Sequence, residues 1–193
     1  MSASLEEIRA RNLRTVALLA ALFLVPLLLA FFMYYGGSWR PLGHTNNGEL
    51  ILPPRALPPA SSAYPAGSFA HGWSLVYIGD GACNAACRNA LLVMRQTQLA
   101  LNNDMSRVRR VFVATGTARD EEFLAREHAG LIVIPAAADA AAALIAQFPA
   151  TDRADTIFIV DPLGNLMERF DARTNPKGLR EDLTKLLKLS HIG

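Results

Sequence analysis

An uncharged, apolar stretch near the N-terminus constrains this chain more than any other feature. It runs from Thr15 to Tyr35 (TVALLAALFLVPLLLAFFMYY) and contains no charged residue. About 20 apolar residues in a helix cross the hydrocarbon core of a bilayer, so we expect this stretch to span a membrane. The alternative is a cleaved signal peptide. Its apolar region is usually about 7 to 15 residues long, and it ends in a small-residue cleavage site that is lacking after Tyr35. We therefore predict an uncleaved anchor.

The residues flanking this stretch predict its orientation. Arg9, Arg11 and Arg14 precede it, whereas only Arg40 follows closely. Positive residues next to a span are held on the cytoplasmic side. We therefore predict a single-pass protein of the inner (plasma) membrane with its C-terminal domain in the periplasm. The expected segments are a cytoplasmic tail at 1–14, a transmembrane helix at 15–35, a tether at 36–70 and a folded domain at 71–193.

Composition limits the partners of this chain. Its 193 residues carry a formal net charge of only +2, and no run of Lys or Arg is longer than two. Nucleic-acid binding needs a basic surface that neutralises phosphates, so the sequence argues against nucleic acid as a partner. The predicted anchor instead makes the lipid bilayer a partner.

Short apolar runs alternate with helical patterns in the domain. This order, β-α-β-α followed by β-β-α, predicts an α/β fold with a central mixed sheet flanked by helices, which is the thioredoxin-like arrangement. A late hairpin with the turn DPLGN should add antiparallel strands at one edge of the sheet. The predicted strands are 73–78, 108–114, 131–134, 156–160 and 166–170, and the predicted helices are 86–101, 121–128, 135–148 and 176–189.

Both cysteines of the chain lie where the first of these strands gives way to a helix. Cys83 and Cys87 occur in IGDGACNAAC, separated by three residues. A helix N-terminus favours thiolates, and Arg88 adds a positive charge beside them. The two sulfurs can converge as a disulfide or as soft ligands to Cu(I). A purely structural disulfide is the alternative, but so short a loop constrains the unfolded chain little.

The chain resembles the SCO/SenC family of cytochrome c oxidase assembly proteins. The similarity covers about 71–187 and rests on GWSLVYIGDGACNAAC, RVRRVFVATGTARDE and FIVDPLGNL. It implies a thioredoxin-like domain on an N-terminal anchor, with Cys83 and Cys87 as redox or Cu(I)-binding residues. It also implies copper as the metal, and the copper-receiving subunit of the oxidase or other assembly factors as partners.

Two departures from the family pattern affect this hypothesis. The family usually has Pro directly after each cysteine, whereas Asn84 and Arg88 stand here. Its third copper ligand is a His about eight residues before the hairpin Asp-Pro, where this chain has Arg153. Two thiolates still suffice for Cu(I), but Cu(II) prefers nitrogen ligands as well.

None of the four histidines is predicted as a strong replacement for that ligand. His44 lies in the tether and is weighed as a mobile ligand, and His71 is expected at the surface. His128 is expected at a helix terminus, where its positive charge would pair with the helix dipole. His191 lies near the chain end.

The sequence therefore predicts a membrane-anchored assembly factor that delivers Cu(I), reduces client cysteines, or does both, rather than a metabolic enzyme. In the redox version Cys83 would be the exposed attacking thiol and Cys87 the resolving one. General disulfide exchange is disfavoured, because the spacing is not C-x-x-C and no Pro directly precedes Thr156. The alternative is a non-catalytic, anchored adaptor that uses the same fold as a docking surface.

Overall fold

The computed structural model describes residues 5–36, 45–59, 69, 71–136 and 139–190. The chain separates into two compact units, Met1–His44 and Thr45–Gly193. His44 and His191 lie outside the described residues, as does much of the predicted tether.

The described residues of the first unit form one long helix, α1 (Leu5–Tyr35). Its segment Ile8–Tyr35 reaches a mean hydropathy of 2.8, and none of its most apolar part is buried within the protein. The expectation of an N-terminal apolar helix that could cross a membrane is therefore confirmed. The orientation of this helix and the compartment of the domain stay predictions.

The second unit is an α/β domain whose described elements follow closely those expected from the sequence. Its strands are β1 (Glu49–Ala56), β2 (Trp73–Asp80), β3 (Val108–Thr115), β4 (Leu131–Pro135), β5 (Thr156–Val160) and β6 (Asn165–Asp171). Its helices are α2 (Ala85–Leu99), α3 (Glu121–Glu127), α4 (Asp139–Ile145) and α5 (Pro176–Leu189).

The six strands form one mixed sheet in the order β1-β6-β5-β2-β3-β4. Strands β2, β3 and β4 are parallel, while β5 and β6 form the expected antiparallel hairpin. Every residue of β5 is buried, as are most of those in β2. Burial on both faces is what central strands with helices on each side require. The thioredoxin-like fold predicted from the order of elements is confirmed.

Strand β1 differs from the expectation, because it lies in the segment assigned to the tether. It pairs antiparallel with β6 and covers the outer edge of the hairpin. The two prolines in ELILPPRA argued against a strand. An edge strand tolerates proline where the missing N–H would face away from its partner, and Ile51 is buried in the core. The sheet therefore begins well before residue 71.

Helix α4 is shorter than the predicted 135–148. Pro135 does not start this helix but ends β4, which is the other edge strand of the sheet. A proline is tolerated there because an edge strand needs only one set of ladder hydrogen bonds.

Two apolar cores lie on opposite faces of the sheet. One contains Leu91 and Met94 of α2 together with Leu179 and Leu183 of α5. The other contains Leu144 of α4 and the inward side chains of the opposite sheet face. The cysteines belong to the first core, so the start of α2 is held rigidly against the sheet.

Candidate functional site

A tight turn places the two cysteines at the C-terminal end of β2. The N–H of Cys83 donates to the carbonyl of Asp80 over 2.9 Å, and Asp80 Oδ1 accepts from the N–H of Ala82 over 2.9 Å. Cys83 adopts a left-handed conformation with φ of 49°, which is unfavourable for a residue with a Cβ. Helix α2 begins directly after this turn.

Asn84 caps the N-terminus of α2. Its Oδ1 accepts a hydrogen bond from the N–H of Cys87 over 3.1 Å, as an N-cap side chain does. The residue that replaces the family's usual proline therefore has a structural role. Capping fixes the first turn, and with it the position of Cys87 opposite Cys83.

Cys83 and Cys87 are joined in a disulfide with Cα atoms 5.0 Å apart. Each residue is only 1% exposed. The expectation that Cys83 is exposed is therefore wrong for this oxidised form, and its role as the attacking thiol stays a prediction. The left-handed turn directs Cys83 into the core on the α2 side of the sheet rather than toward solvent.

Arg88 connects this turn to the loop that follows β3. Its Nε donates to the carbonyl of Cys83 over 3.1 Å, and its Nη2 forms an ion pair with Asp120 Oδ2 at 2.7 Å. The guanidinium also lies 4.0 Å from the centre of the Phe123 ring, within the range of a cation–π contact. Arg88 thus holds a positive charge beside the cysteines and restrains the backbone of one of them.

The loop after β3 packs closely on the turn. The N–H of Asp120 donates to the carbonyl of Gly81 over 3.1 Å. A Cβ on Gly81 would lie 2.3 Å from the carbonyl oxygen of Ala118, a contact that real side chains do not make. Glycine is therefore required at this position for the loop to lie against the cysteine turn.

The structure gives Arg153 a role that does not replace the missing histidine. Its guanidinium donates to the carbonyls of Phe148 and Pro149 over 2.7 and 3.1 Å. These bonds hold the end of the α4 region. No group of three metal-binding side chains occurs among the described residues. The donors that the structure brings together are the two sulfurs, which fit two-coordinate Cu(I) once reduced and do not fit Cu(II).

The described histidines do not supply a third ligand. His71 is exposed, as expected, and its N–H donates to the carbonyl of Pro162. His128 lies at the C-terminal cap of α3 but is 4% exposed. Burial lowers the pKa of His128, and the guanidiniums of Arg110 and Arg95 lower it further. The imidazole is therefore uncharged at neutral pH, and the expected pairing of a histidine cation with the helix dipole is wrong.

Glu168 of β6 and Asp182 of α5 form a buried pair of carboxyl groups next to the residues that precede β1. Asp182 accepts hydrogen bonds from the backbone N–H groups of Asn47 and Gly48. Burial raises the pKa of Glu168 to about 7, with a further contribution from Asp182. Burial also raises the pKa of Asp182, but the hydrogen bonds from Asn47, Gly48 and Lys185 outweigh this and leave the pKa below its ordinary value. At neutral pH Asp182 is therefore charged, while Glu168 is only partly ionised.

Sequence reasoning missed Asp120, Phe123 and Glu168. Two of them carried a usable signal. Asp120 directly precedes EEF at the start of α3, which is N-cap chemistry, and its Oδ1 caps Phe123. Glu168 stands two residues before the buried Phe170 in β6, so the alternation of a strand predicts that it shares the inward face of Phe170.

The fold and the cysteine turn together define a thioredoxin-like domain with a disulfide-bonded C-x-x-x-C pair, preceded by a helix that could cross a membrane. The family described as "Transmembrane-like, thioredoxin-like, C-terminal domain" matches residues 73–190, which is more than half of the chain. The chain belongs to this family. No curated protein matches the sequence.

Several solved structures share the fold. Apo Sco1 from Thermus thermophilus is 17% identical with a TM-score of 0.57, over 75% of this chain and 99% of that one. Yeast Sco1 with copper bound is 16% identical with a TM-score of 0.55, over 63% and 82%. A SCO1/SenC family lipoprotein from Bacillus anthracis is 8% identical with a TM-score of 0.53, over 71% and 99%. The resemblance to SCO/SenC proteins is thus confirmed at the level of the fold.

Proposed function

We propose that this protein is a membrane-anchored assembly factor for cytochrome c oxidase that acts in the periplasm through Cys83 and Cys87. The observation that carries the proposal is the disulfide-bonded pair at the N-terminus of α2, on a domain with the fold of Sco1. The helix α1 would keep this domain at the membrane that holds the oxidase. The client would be the copper-receiving subunit or another assembly factor.

The site supports reduction of client cysteines best. In the reduced protein, one thiolate attacks a client disulfide and forms a mixed disulfide while the client releases one thiolate. The second thiolate then attacks the mixed disulfide, which releases the other client sulfur and closes the Cys83–Cys87 bond. The two electrons move to the client, and the oxidised pair corresponds to the disulfide form described above. An external dithiol must reduce the pair before the next cycle.

Delivery of Cu(I) is the second candidate, and the fold likeness favours it. Yeast Sco1 and Bradyrhizobium japonicum ScoI, which share the fold at TM-scores of 0.55 and 0.50, were solved with copper bound. Here the cargo would be held by two thiolates alone. Loss of an imidazole ligand should weaken retention and make transfer to a client with more ligands easier.

The adaptor alternative is favoured by the burial of both sulfurs. A pair that is 1% exposed at each residue reacts only if the turn at 81–84 opens. If that opening does not occur, the disulfide holds the domain together and the surface carries the function.

One experiment on the full chain in non-ionic detergent separates the three functions. The protein is reduced and freed of reductant, then divided between two assays. The first measures Cu(I) retention against a competing chelator. The second adds a peptide with one internal disulfide, separates it from the protein and counts the thiols of each. The matched variants are Cys83→Ser, Cys87→Ser and, as a control away from the cysteines, His71→Ala.

We expect the protein to lose two thiols and the peptide to gain two for each peptide disulfide reduced. This activity should be lost in both serine variants and kept in His71→Ala. Copper retention without exchange would establish delivery instead. Failure of the intact protein in both assays would leave only the adaptor.

A further inference from the structure

A groove between α2 and α3 lies beside the cysteine turn. Its walls are Arg88, Leu92 and Arg95 from one face of α2, and Phe123, Arg126 and His128 from α3 and its cap. The α2 residues are spaced i, i+4 and i+7, so they form one stripe along the helix. The groove has a volume of about 250 Å³, which is room for side chains of a bound segment.

The residues that line this groove carry more positive than negative charge. Three arginines line it against one carboxylate, Glu127, which pairs with Arg126 at 3.1 Å. Asp120 and Glu122 neutralise part of the rim by pairing with Arg88 and Arg126. No described residue forms an ion pair with Arg95. Its guanidinium is therefore available to an incoming anion.

A buried positive charge lies behind the groove. Arg110 is 5% exposed and has no carboxylate partner among the described residues. Its Nη2 donates to the carbonyl of Ala129, next to His128, while its Nη1 has no partner among the described residues. A buried cation without a counter-ion is costly. Arg110 interacts electrostatically with both Arg95 and His128 of the groove, so it adds to the positive potential there.

His128 supplies a second buried polar atom without a partner. It lines the groove while being 4% exposed, and its Nδ1 has no hydrogen-bond partner among the described residues. Its ring lies 5.0 Å from that of Phe123 in an edge-on arrangement. The groove thus combines unpaired polar groups with an aromatic wall, which is typical of a surface that receives a ligand.

The groove also has an apolar part that a simple anion would not use. Leu92 is 44% exposed between the two arginines of its stripe. Arg88 lies at the other end and donates directly to the carbonyl of Cys83. A segment bound along the stripe would therefore lie next to the cysteine pair.

We propose that the α2–α3 groove docks an acidic segment of the client polypeptide, with a carboxylate at Arg95 and an apolar side chain on Leu92 and Phe123. This inference rests on the proposed function, because it specifies the chemistry of the client beside its cysteines. The groove would select clients by charge before any sulfur chemistry takes place. Complementary charges of this kind raise association rates and select partners.

Binding can be tested without sulfur chemistry. A fluorescein-labelled peptide of Glu and Leu without cysteine is titrated with the full chain in non-ionic detergent, and anisotropy is read. A second peptide carries Gln in place of every Glu. The variants are Arg95→Glu in the groove and Arg180→Glu on α5, an exposed arginine with the same change of charge.

We expect the acidic peptide to bind. The Gln peptide should bind at least about fivefold more weakly, which corresponds to about 1 kcal/mol of binding free energy. Arg95→Glu should weaken binding about five- to tenfold, and Arg180→Glu less than twofold. Raising NaCl from about 50 to about 300 mM should also weaken it, because exposed charges are screened.

Equal binding of the two peptides, or equal effects of the two arginine variants, would overturn the proposal. So would Arg95-dependent binding of inorganic phosphate with no binding of the peptide, since the groove would then be a small-anion site. A variant with both Cys83→Ser and Cys87→Ser should still bind the peptide. The peptide-binding result can therefore be interpreted even if the exchange and copper assays fail, because it does not depend on the cysteines.

Discussion

At the scale of single residues, burial shifts the pKa values of two side chains away from the ordinary values of their residue types. Burial lowers the pKa of His128 and keeps its imidazole uncharged at neutral pH, and burial raises the pKa of Glu168 to about 7. In the folded protein each therefore favours its neutral form. The two titrations act on stability in opposite pH directions.

Glu168 should make the domain less stable as pH rises. Its ordinary pKa of 4.5 applies to the unfolded chain, and folding raises it to about 7. The folded state holds the proton more tightly, so stability falls between pH 4.5 and 7 and stays lower above that range. Glu168→Gln should remove this loss and stabilise the domain at pH 8 by about 1 to 3 kcal/mol, with little gain at pH 4.5.

Denaturant midpoints from tryptophan fluorescence at both pH values would check this prediction. Glu49→Gln, a change at an exposed carboxylate on β1 that pairs with Arg169, is the matched control. If Glu168→Gln and Glu49→Gln gave the same pH profile, the buried carboxyl group would not be the cause.

At the scale of elements, strand β1 depends on α5 as well as on its partner strand. Asp182 of α5 is 3% exposed and accepts from the backbone of Asn47 and Gly48, directly before β1. Lys185 donates to the carbonyl of Thr45. One turn of α5 therefore fixes the point where the chain enters the sheet.

Asp182→Ala should release this entry point. The buried N–H groups would lose their acceptor, which costs about 2 to 4 kcal/mol for a charged partner with several bonds. Amide hydrogen exchange of residues 47–51 at pH 7.5 should become faster than in the unsubstituted protein, and this increase should exceed any increase in β2. Glu121→Ala, at an exposed carboxylate on α3 away from this entry point, should change neither stability nor exchange appreciably. Unchanged protection of β1 in Asp182→Ala would contradict the assigned role.

At the scale of the whole molecule, the proposed function depends on the side of the membrane on which the anchor leaves the domain. The arginines before the apolar stretch favour a cytoplasmic N-terminus. That orientation places the cysteines in a compartment where disulfides persist. The proposed redox cycle needs this placement, because its client would meet the domain outside the cytoplasm.

Labelling of single cysteines would test this orientation. In a background with Cys83→Ser and Cys87→Ser, Ser106→Cys lies at an exposed position of the domain and Ser4→Cys lies before α1 in the sequence. In Gram-negative cells whose outer membrane is permeabilised and whose inner membrane is intact, a maleimide that cannot cross membranes should label Ser106→Cys alone. Ser4→Cys should react only after detergent lysis. The reverse pattern would place the domain in the cytoplasm.

The sequence by itself determined the apolar helix, the order of strands and helices from residue 73 onward, and the position of the cysteine pair. These features follow from local patterns: the apolar stretch 15–35, the continuous runs of β2 and β5, and the stripe of α5. Such periodicities depend on near neighbours in the chain and can be read before folding. The lack of a histidine before the hairpin was equally visible, because the sequence shows directly that position 153 is an arginine.

Only the tertiary structure decided the features that depend on distant segments. Strand β1 contains two prolines and became recognisable through its pairing with β6, more than 100 residues later. The burial of Cys83 follows from its left-handed turn and from the packing of the loop after β3. The α2–α3 groove and the pKa of Glu168 arise where separate elements meet. Desolvation and charge pairing act through space, so residue spacing along the chain cannot give them.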